Sequence, residues 1–169
     1  MLNATYDFTA DTAVLIDKAL SAERKRWARD LVNKIFSELS LTCHEAHHGR
    51  EVVARREIEY DSFNLPRVAA EALYSLEPPV GEGKRRCIVF IFNGNDNSTA
   101  AETVSTLREI MDRNGRWLGR TRIFAFSEGG ELVSEIDNAC YMGFWGFPGE
   151  NINEGTAKEI SEIIFHSSM

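Results

Sequence analysis

The sequence predicts an α/β protein in which a mostly parallel β-sheet is flanked by helices. Residues 87–92, with the sequence CIVFIF, form a continuous apolar run that is typical of a strand buried on both faces of a parallel sheet. Strand-like and helix-like segments then alternate through residues 84–169, as they do in βαβ units. The composition, with 43% hydrophobic and 27% charged residues, is that of an ordinary globular domain.

The N-terminal part of the chain has mainly helical patterns. Thr9 or Asp11 is the predicted cap of a first helix that extends to Leu20. A second, amphipathic helix is predicted over about residues 22–39, because an apolar residue recurs at every fourth position from Trp27 onward.

The segment that follows this helix has less regular patterns. Two short apolar stretches around His48-Gly49 predict a β-hairpin within residues 40–60, and residues 67–76 have helical composition. Residues 77–83, with the sequence EPPVGEG, are the clearest linker in the chain.

After the linker, the elements are easier to predict. Thr99 and Glu102 form a capping-box pair at the start of a helix that ends at Asn114-Gly115. A second such pair, Thr156 and Glu159, marks the start of the last helix. The two further predicted strands span residues 121–126 and 139–147.

The connection over residues 127–138 has two interpretations. Gly129-Gly130 fits a tight hairpin turn ahead of an antiparallel strand. A helical crossover between parallel strands is favoured, because glycines followed by acidic residues suit a helix N-terminus.

Together these elements predict a single α/β domain over residues 1–169. Its N-terminal part, residues 1–77, is a helical segment with the hairpin at 40–60. Its C-terminal part, residues 84–169, is a nucleotide-type βαβ layer. The expected architecture is Rossmann-like or flavodoxin-like.

Charge, cysteine content and hydropathy exclude several classes of protein. The net charge is −7 and each half of the chain is net negative, so we expect no binding to the phosphate backbone of nucleic acids. The three cysteines are widely spaced and odd in number, which predicts reduced thiols. Because the sequence shows neither a signal peptide nor a membrane span, we expect a soluble, cytoplasmic protein that does not bind membranes.

Polar loops follow the carboxyl ends of the predicted strands, which is where open parallel sheets bind ligands. Two of these loops span residues 127–131 and 147–156. The other leads into a helix N-terminus, which favours phosphates or ribose hydroxyls. Its residues are Asn93, Gly94, Asn95, Asp96, Asn97 and Ser98.

Part of the sequence resembles a known family. The stretch from Val89 to Asn97 (VFIFNGNDN), the helix after it and the strand IFAFSE are similar to the opening of the bacterial TIR-like nucleotide-binding proteins. Gly130 and Glu135 have the spacing of a glycine and a glutamate in that family. The segment FWGFPGE, from Phe144 onward, lies where its closing strand and turn would be.

The resemblance implies a domain that binds or cleaves NAD or a related nucleotide, so the protein would be an NAD nucleosidase or hydrolase. Glu135 would then be the catalytic carboxylate, which stabilises positive charge on the ribose, and the loop beginning at Asn93, together with Ser127, would line the nucleotide. Trp145 would stack on a base or on nicotinamide. The alternatives are that Glu135 is a solvated acid on a helix face and that Trp145 packs in the core.

Two shorter motifs indicate other sites. The segment GTAKEI resembles part of the nucleoside deoxyribosyltransferase-like proteins, which makes Glu159 a reserve candidate at a ribose. The segment HEAHH satisfies the zinc-peptidase pattern, in which His44 and His48 would bind Zn²⁺, although a His-rich surface turn also explains it.

Three functions therefore stay open after the sequence alone. The leading one is a TIR-like domain that binds or cleaves a nucleotide. The second is a non-catalytic α/β interaction module that binds a protein partner or forms a homo-oligomer. The third is a zinc-dependent hydrolase that uses His44 and His48.

Overall fold

The computed structural model describes most of the chain. The described residues are 8–46, 51–76, 86–94, 98–114, 121–127, 130–139, 143–148 and 154–166. Among these residues, no helix is both long enough and apolar enough to cross a membrane.

Strands and helices alternate along the described chain. In order, they are β1 (Phe8–Asp17), α1 (Ala22–Glu45), β2 (Glu51–Tyr60), a 3₁₀ turn (Ser62–Asn64), α2 (Leu65–Ser75), β3 (Arg86–Asn93), α3 (Ala100–Arg113), β4 (Thr121–Ser127), α4 (Glu131–Ala139), β5 (Phe144–Pro148) and α5 (Glu154–His166). The five strands form one sheet in the order β2-β1-β3-β4-β5, and every pair is parallel. The predicted fold class, a Rossmann-like or flavodoxin-like parallel sheet flanked by helices, is thereby confirmed.

Side chains of successive strand residues alternate between two covered faces of the sheet. In β3, Cys87, Val89 and Ile91 pack in the core beneath α2, α3 and α4, whereas Ile88 and Phe90 pack beneath α1 and α5. We call these the α2–α4 face and the α1/α5 face. Because both faces of β3 are buried, its sequence is apolar without interruption.

Aromatic rings fill much of the α1/α5 face. Two rows of stacked rings cross β3, β4 and β5: Phe90–Phe124–Trp145 and Phe92–Phe126–Phe147. The ring centroids of Phe92 and Phe126 are 4.6 Å apart, and Trp27 of α1 meets both rings edge-on. This spacing is the usual one for offset-stacked aromatic pairs, so the face is closely packed.

The prediction of a first helix up to Leu20 was wrong, because residues 8–17 form strand β1. This strand lies in the middle of the sheet, between β2 and β3, and Ala13 to Ile16 are buried. A short apolar run beside polar residues fits either a buried strand or a buried turn of helix. Residues 8–17 form a strand rather than a helix because β2 and β3 supply the backbone hydrogen bonds of β1.

The prediction of a hairpin within residues 40–60 was also wrong. Helix α1 continues to Glu45, beyond its predicted end near residue 39, and β2 is a single strand parallel to β1. Because β2 is an edge strand, Arg55, Arg56 and Glu57 are exposed, which obscures the strand pattern in the sequence. The N-terminal part is therefore not simply helical, since β1 and β2 belong to the same sheet as the later strands.

Both predicted capping boxes were wrong in detail. Thr99 precedes α3, but its hydroxyl makes no capping bond and instead donates to the carbonyl oxygen of Ser62 at 3.5 Å. Helix α5 begins at Glu154, which places Thr156 inside the first turn. The predicted end of α3 is confirmed, because Asn114 is its C-cap.

The helical crossover between β4 and β5 is confirmed over the alternative hairpin. Helix α4 connects the two strands, which are parallel, and β5 begins later than predicted, at Phe144. Gly130 has φ +78° just before α4, a conformation that favours glycine, and its N–H donates to Ser127 Oγ at 3.3 Å.

Candidate ligand site

The carboxyl edge of the sheet contains the point at which the strand order reverses. This point lies between β1 and β3, and open α/β sheets bind ligands in the crevice beyond such a switch point. Asp17 ends β1, Asn93 ends β3 and Ser127 ends β4, so all three residues lie at this edge.

Asp17 is the centre of a buried hydrogen-bond network at the switch point. Its side chain is 0% exposed. The carboxylate accepts hydrogen bonds from Ala19 N (2.9 Å), from Ser62 Oγ (2.7 and 2.8 Å), from Gly94 N (3.0 Å) and from Asn93 Nδ2 (3.4 Å). These donors satisfy the buried charge and tie the ends of β1 and β3 to the 3₁₀ turn after β2.

Tyr60 extends the network at the end of β2. Its hydroxyl donates to Phe92 O and accepts from Asn93 Nδ2, both at 3.1 Å. Burial raises the pKa of Tyr60 well above its ordinary value, so the phenol stays neutral. Asn93 Oδ1 is buried, and no described residue donates a hydrogen bond to it.

Gly94 is held close to the same carboxylate. A Cβ atom at this position would lie 3.3 Å from Asp17 Oδ2, which is tighter than ordinary contact. The network therefore fixes the backbone at the start of the connection that leads from β3 to α3.

A pocket of about 370 Å³ lies between the N-termini of α3 and α4. It is lined by Ser98, Ala100, Ala101, Gly130, Glu131, Ser134 and Glu135. This volume is at the lower end of the range for small-molecule sites, roughly 300–1,000 Å³.

The lining of this pocket combines two kinds of hydrogen-bonding group. The first turns of α3 and α4 present backbone N–H groups that have no partner within the helix, which makes them donors to an anion or to oxygen atoms. Glu131 and half-buried Glu135 add carboxylates, which accept hydrogen bonds from hydroxyl groups. Among the described lining residues there is no lysine or arginine. A ligand rich in hydroxyl groups suits this arrangement better than a compact multiply charged anion.

Two other pockets lie between α1 and the edge strand β2. Their volumes are about 240 and 480 Å³, and Asn33 and Arg55 border both. In the smaller one, Arg29 and Glu57 form a two-bond ion pair at 2.8 and 2.9 Å. Both pockets run along the side of the sheet, away from the strand ends at which connections converge, so we place the candidate site at α3 and α4.

The structure brings several predicted site residues together and separates others. Ser98 and Glu135 line the same pocket, and Ser127 Oγ supports Gly130 at its edge. Asn93 and Gly94 belong instead to the Asp17 network. The predicted ligand residues Asn95, Asp96 and Asn97 lie outside the described residues.

The other candidates lie elsewhere. Trp145 stacks on Phe124 on the α1/α5 face, so the sheet separates its ring from the pocket with Glu135. Glu159 is exposed on α5. His44 is exposed in the last turn of α1, and His48 lies outside the described residues. Within the described part of the chain, no group of three or more His, Cys, Asp or Glu residues is arranged to hold a metal ion.

Sequence patterns missed Asp17, Tyr60 and Ser62. The available signal was the apolar run AVLI followed directly by Asp17, which parallels the apolar run of β3 followed by Asn93. A polar residue immediately after a buried strand marks the sheet edge that binds ligands.

Comparison with known proteins adds no family to this picture. No model of a known protein family matches the chain, and no curated protein of similar sequence was found. Because this fold class hosts many functions, the function of this protein is inferred from the site rather than from the fold.

Proposed function

We propose that this protein binds a nucleotide or nucleoside, with the ribose in the pocket between α3 and α4. The observation that carries the proposal is that Ser98 and Glu135, which come from two different connections, line one pocket at the carboxyl edge. The sequence resemblance to TIR-like proteins had assigned the same two residues to a nucleotide site.

The chemistry of the pocket matches a ribose with an attached phosphate. The hydroxyls of ribose donate hydrogen bonds to carboxylates such as Glu131 and Glu135. The uncapped start of α3 supplies N–H groups for a phosphate oxygen, since the hydroxyl of Thr99 is engaged with Ser62 instead. The pocket volume of about 370 Å³ accommodates a nucleoside-sized group rather than a whole dinucleotide.

Cleavage of the N-glycosidic bond is the reaction that this arrangement serves best. When the bond between ribose C1′ and the base breaks, the base leaves with the bonding electron pair and positive charge builds on the ribose. A carboxylate at Glu135 stabilises that charge, and water then adds to C1′ and loses a proton. With NAD as the substrate, the products are nicotinamide and ADP-ribose.

Binding is tested first, by thermal shift and calorimetry with NAD, ADP-ribose and adenosine. A ligand at a hundred times its Kd stabilises the fold by about 2.7 kcal/mol, which is roughly 5–10 °C in Tm for a chain of this size. We expect E135Q to weaken binding. The matched control is E162Q, which changes an exposed glutamate of α5 on the opposite face. Equal affinity for wild type, E135Q and E162Q would contradict the proposed site.

Turnover is a separate measurement on the same variants. We expect wild type to release nicotinamide from NAD, measured by chromatography, and E135Q to lose at least about a hundredfold in rate, as expected when one group that stabilises charge is removed. Binding without turnover in wild type would leave nucleotide binding as the function and remove the catalytic step.

One observation favours a protein-interaction module as a second candidate. Phe63, in the 3₁₀ turn beside the Asp17 network, is 71% exposed, the highest value among the described large apolar side chains. Light scattering of wild type and F63D tests the homo-oligomer form of this idea. An oligomer that F63D converts to monomer supports it, and a monomer at all concentrations contradicts it.

A further inference from the structure

Two arginines lie side by side at the amino edge of the sheet, opposite the candidate ligand site. Arg86 is the first residue of β3, and Arg122 is the second residue of β4. Arg122 pairs in register with Ile88, and strand alternation places both arginines on the α1/α5 face. From the spacing and rise of strands, their Cα atoms are about 8 Å apart.

Arg86 is unusually buried for a charged residue. It is 9% exposed, and its guanidinium carbon lies 4.3 Å from the centre of the Phe8 ring. Its Nε is buried and has no hydrogen-bond partner among the described residues. Burial lowers the pKa of Arg86, and the positive charge of Arg122 lowers it further.

No described carboxylate forms an ion pair with Arg86. Cys43, at the end of α1, is the group that raises the pKa of Arg86, but burial raises the pKa of this thiol to about 11, so it is neutral at physiological pH. Glu51, at the start of β2, raises the pKa of Cys43 but is not among the groups that shift the pKa of Arg86.

Partial compensation comes from two other sources. The Phe8 ring provides a cation–π contact, and α1 directs its negative C-terminal end toward this edge of the sheet. Neither supplies an acceptor for Nε, and the C-terminus of a helix carries only about half a charge. A buried cation normally has a full counter-charge with hydrogen bonds, because the uncompensated state is costly.

We propose that Arg86 and Arg122 form a binding site for a small phosphate-type oxyanion, either inorganic phosphate or the phosphate group of a small metabolite. A guanidinium presents parallel N–H donors that match two oxygens of such an anion. Arg122 donates one N–H to Thr121 O at 2.9 Å, and its guanidinium carbon lies 5.8 Å from the centre of the Trp145 ring. Its positive charge lowers the pKa of Arg86, so the two cations act on each other. This site lies at the opposite sheet edge from Glu135, so it is independent of the proposed nucleotide function.

The first test is the thermal stability of wild type, R86M and R67M in phosphate and in chloride of equal ionic strength. Arg67 is the matched control, because it is exposed on α2 and paired with Glu71. We expect phosphate to raise the Tm of wild type and R67M but not that of R86M. By titration, R86M should bind phosphate about ten- to a hundredfold more weakly than wild type, as expected for the loss of a charge-assisted hydrogen bond.

The stability of R86M without phosphate separates a binding role from a structural one. If the role of Arg86 is to bind an anion, its buried charge has no counter-charge when phosphate is absent. R86M in chloride should then be at least as stable as wild type, because an apolar side chain of similar length replaces an uncompensated buried charge. A wild type with the same Tm in phosphate and chloride overturns the proposal, as does an R86M variant that responds fully to phosphate. If R86M does not fold, R122M is tested for the same loss of the phosphate response.

The source of the phosphate is distinguished by comparing AMP with adenosine. If AMP binds through its phosphate at the arginines, it competes with inorganic phosphate, and this competition is lost in R86M, whereas adenosine does not compete. If inorganic phosphate alone gives the response, AMP does not compete with it at this site. Failure of the Glu135 proposal leaves both outcomes unaffected.

Discussion

Replacement of Asp17 by alanine should destabilise the protein strongly, because four different groups donate hydrogen bonds to its carboxylate. D17A removes the acceptor from Gly94 N and Asn93 Nδ2, both of which are in buried hydrogen bonds. Ala19 N and Ser62 Oγ also lose their acceptor, but these bonds are only partly buried, so water can replace it.

The magnitude follows from the two buried donors. Each buried N–H left without an acceptor costs about 1–3 kcal/mol. Gly94 N loses its acceptor, and Asn93 Nδ2 loses the acceptor of one of its two N–H groups while the other still donates to Tyr60, which gives about 2–6 kcal/mol for D17A. This is a large part of the total stability of a typical domain, about 5–15 kcal/mol. D17N keeps the shape and one acceptor oxygen, so it should cost about half as much as D17A.

The assay is urea unfolding followed by circular dichroism. With a slope of about 2 kcal/mol per molar urea, D17A should lower the unfolding midpoint by about 1–3 M. The matched control is D30A, which removes an exposed carboxylate of α1 and should change stability by less than about 0.5 kcal/mol. If D17A and D30A unfold at the same urea concentration, the buried network does not hold the strand ends together.

Three further predictions concern packing and thiol chemistry. F126A removes the central ring of a stacked row and should lower the free energy of unfolding, measured in urea, by about 3–5 kcal/mol. F63A is the control at an exposed ring and should lower it by less than about 0.5 kcal/mol. Similar losses in the two variants would contradict the aromatic packing. G146A places a Cβ 2.9 Å from Val133 Cγ1 and should lower the free energy of unfolding by about 1–3 kcal/mol. The loss should be smaller when Val133 is also replaced by alanine, and equal losses with and without V133A would show that this contact is not the cause. Burial raises the pKa of the Cys43 thiol from 9.0 to about 11. The neutral thiol therefore contributes to the free energy of unfolding below pH 9, and this contribution is lost as the pH rises through about 11. Peptide mapping after alkylation at pH 8 should find Cys43 unmodified unless urea is present, and rapid labelling of the native protein would contradict its burial.

The sequence predicts the C-terminal half of the fold better than the N-terminal half, for a physical reason. Strand β3 has six consecutive apolar residues, a pattern that favours a buried strand over a helix, and α3 has a clear apolar stripe, which favours a helix over a strand. In β1 the apolar run is shorter and follows alternating polar residues, and this pattern is compatible with a helix as well as with a strand. In β2 the charged residues Arg55, Arg56 and Glu57 are explained only by the edge position, which depends on the arrangement of all five strands.

The site was only partly predictable for the same reason. Ser98 was predicted because it follows a strand that the sequence identifies, and Glu135 was implied by the resemblance to TIR-like proteins; the structure places both at one pocket. Asp17 was missed because its strand was assigned as a helix, and Tyr60 and Ser62 because β2 was split into a hairpin. Trp145 lies on a strand near the predicted edge, but the alternation of side chains directs its ring to the α1/α5 face.

The most direct test of the central claim is a titration of ¹⁵N-labelled protein with ADP-ribose, followed by heteronuclear NMR. ADP-ribose carries the ribose and phosphates but lacks the nicotinamide bond, so the result does not depend on catalysis. We expect the largest chemical-shift changes of backbone amides at residues 98–101 and 130–135, around the pocket between α3 and α4. These changes should diminish in E135Q but not in E162Q. Shifts confined to α1 and β2, or none at millimolar ADP-ribose, would contradict the central claim.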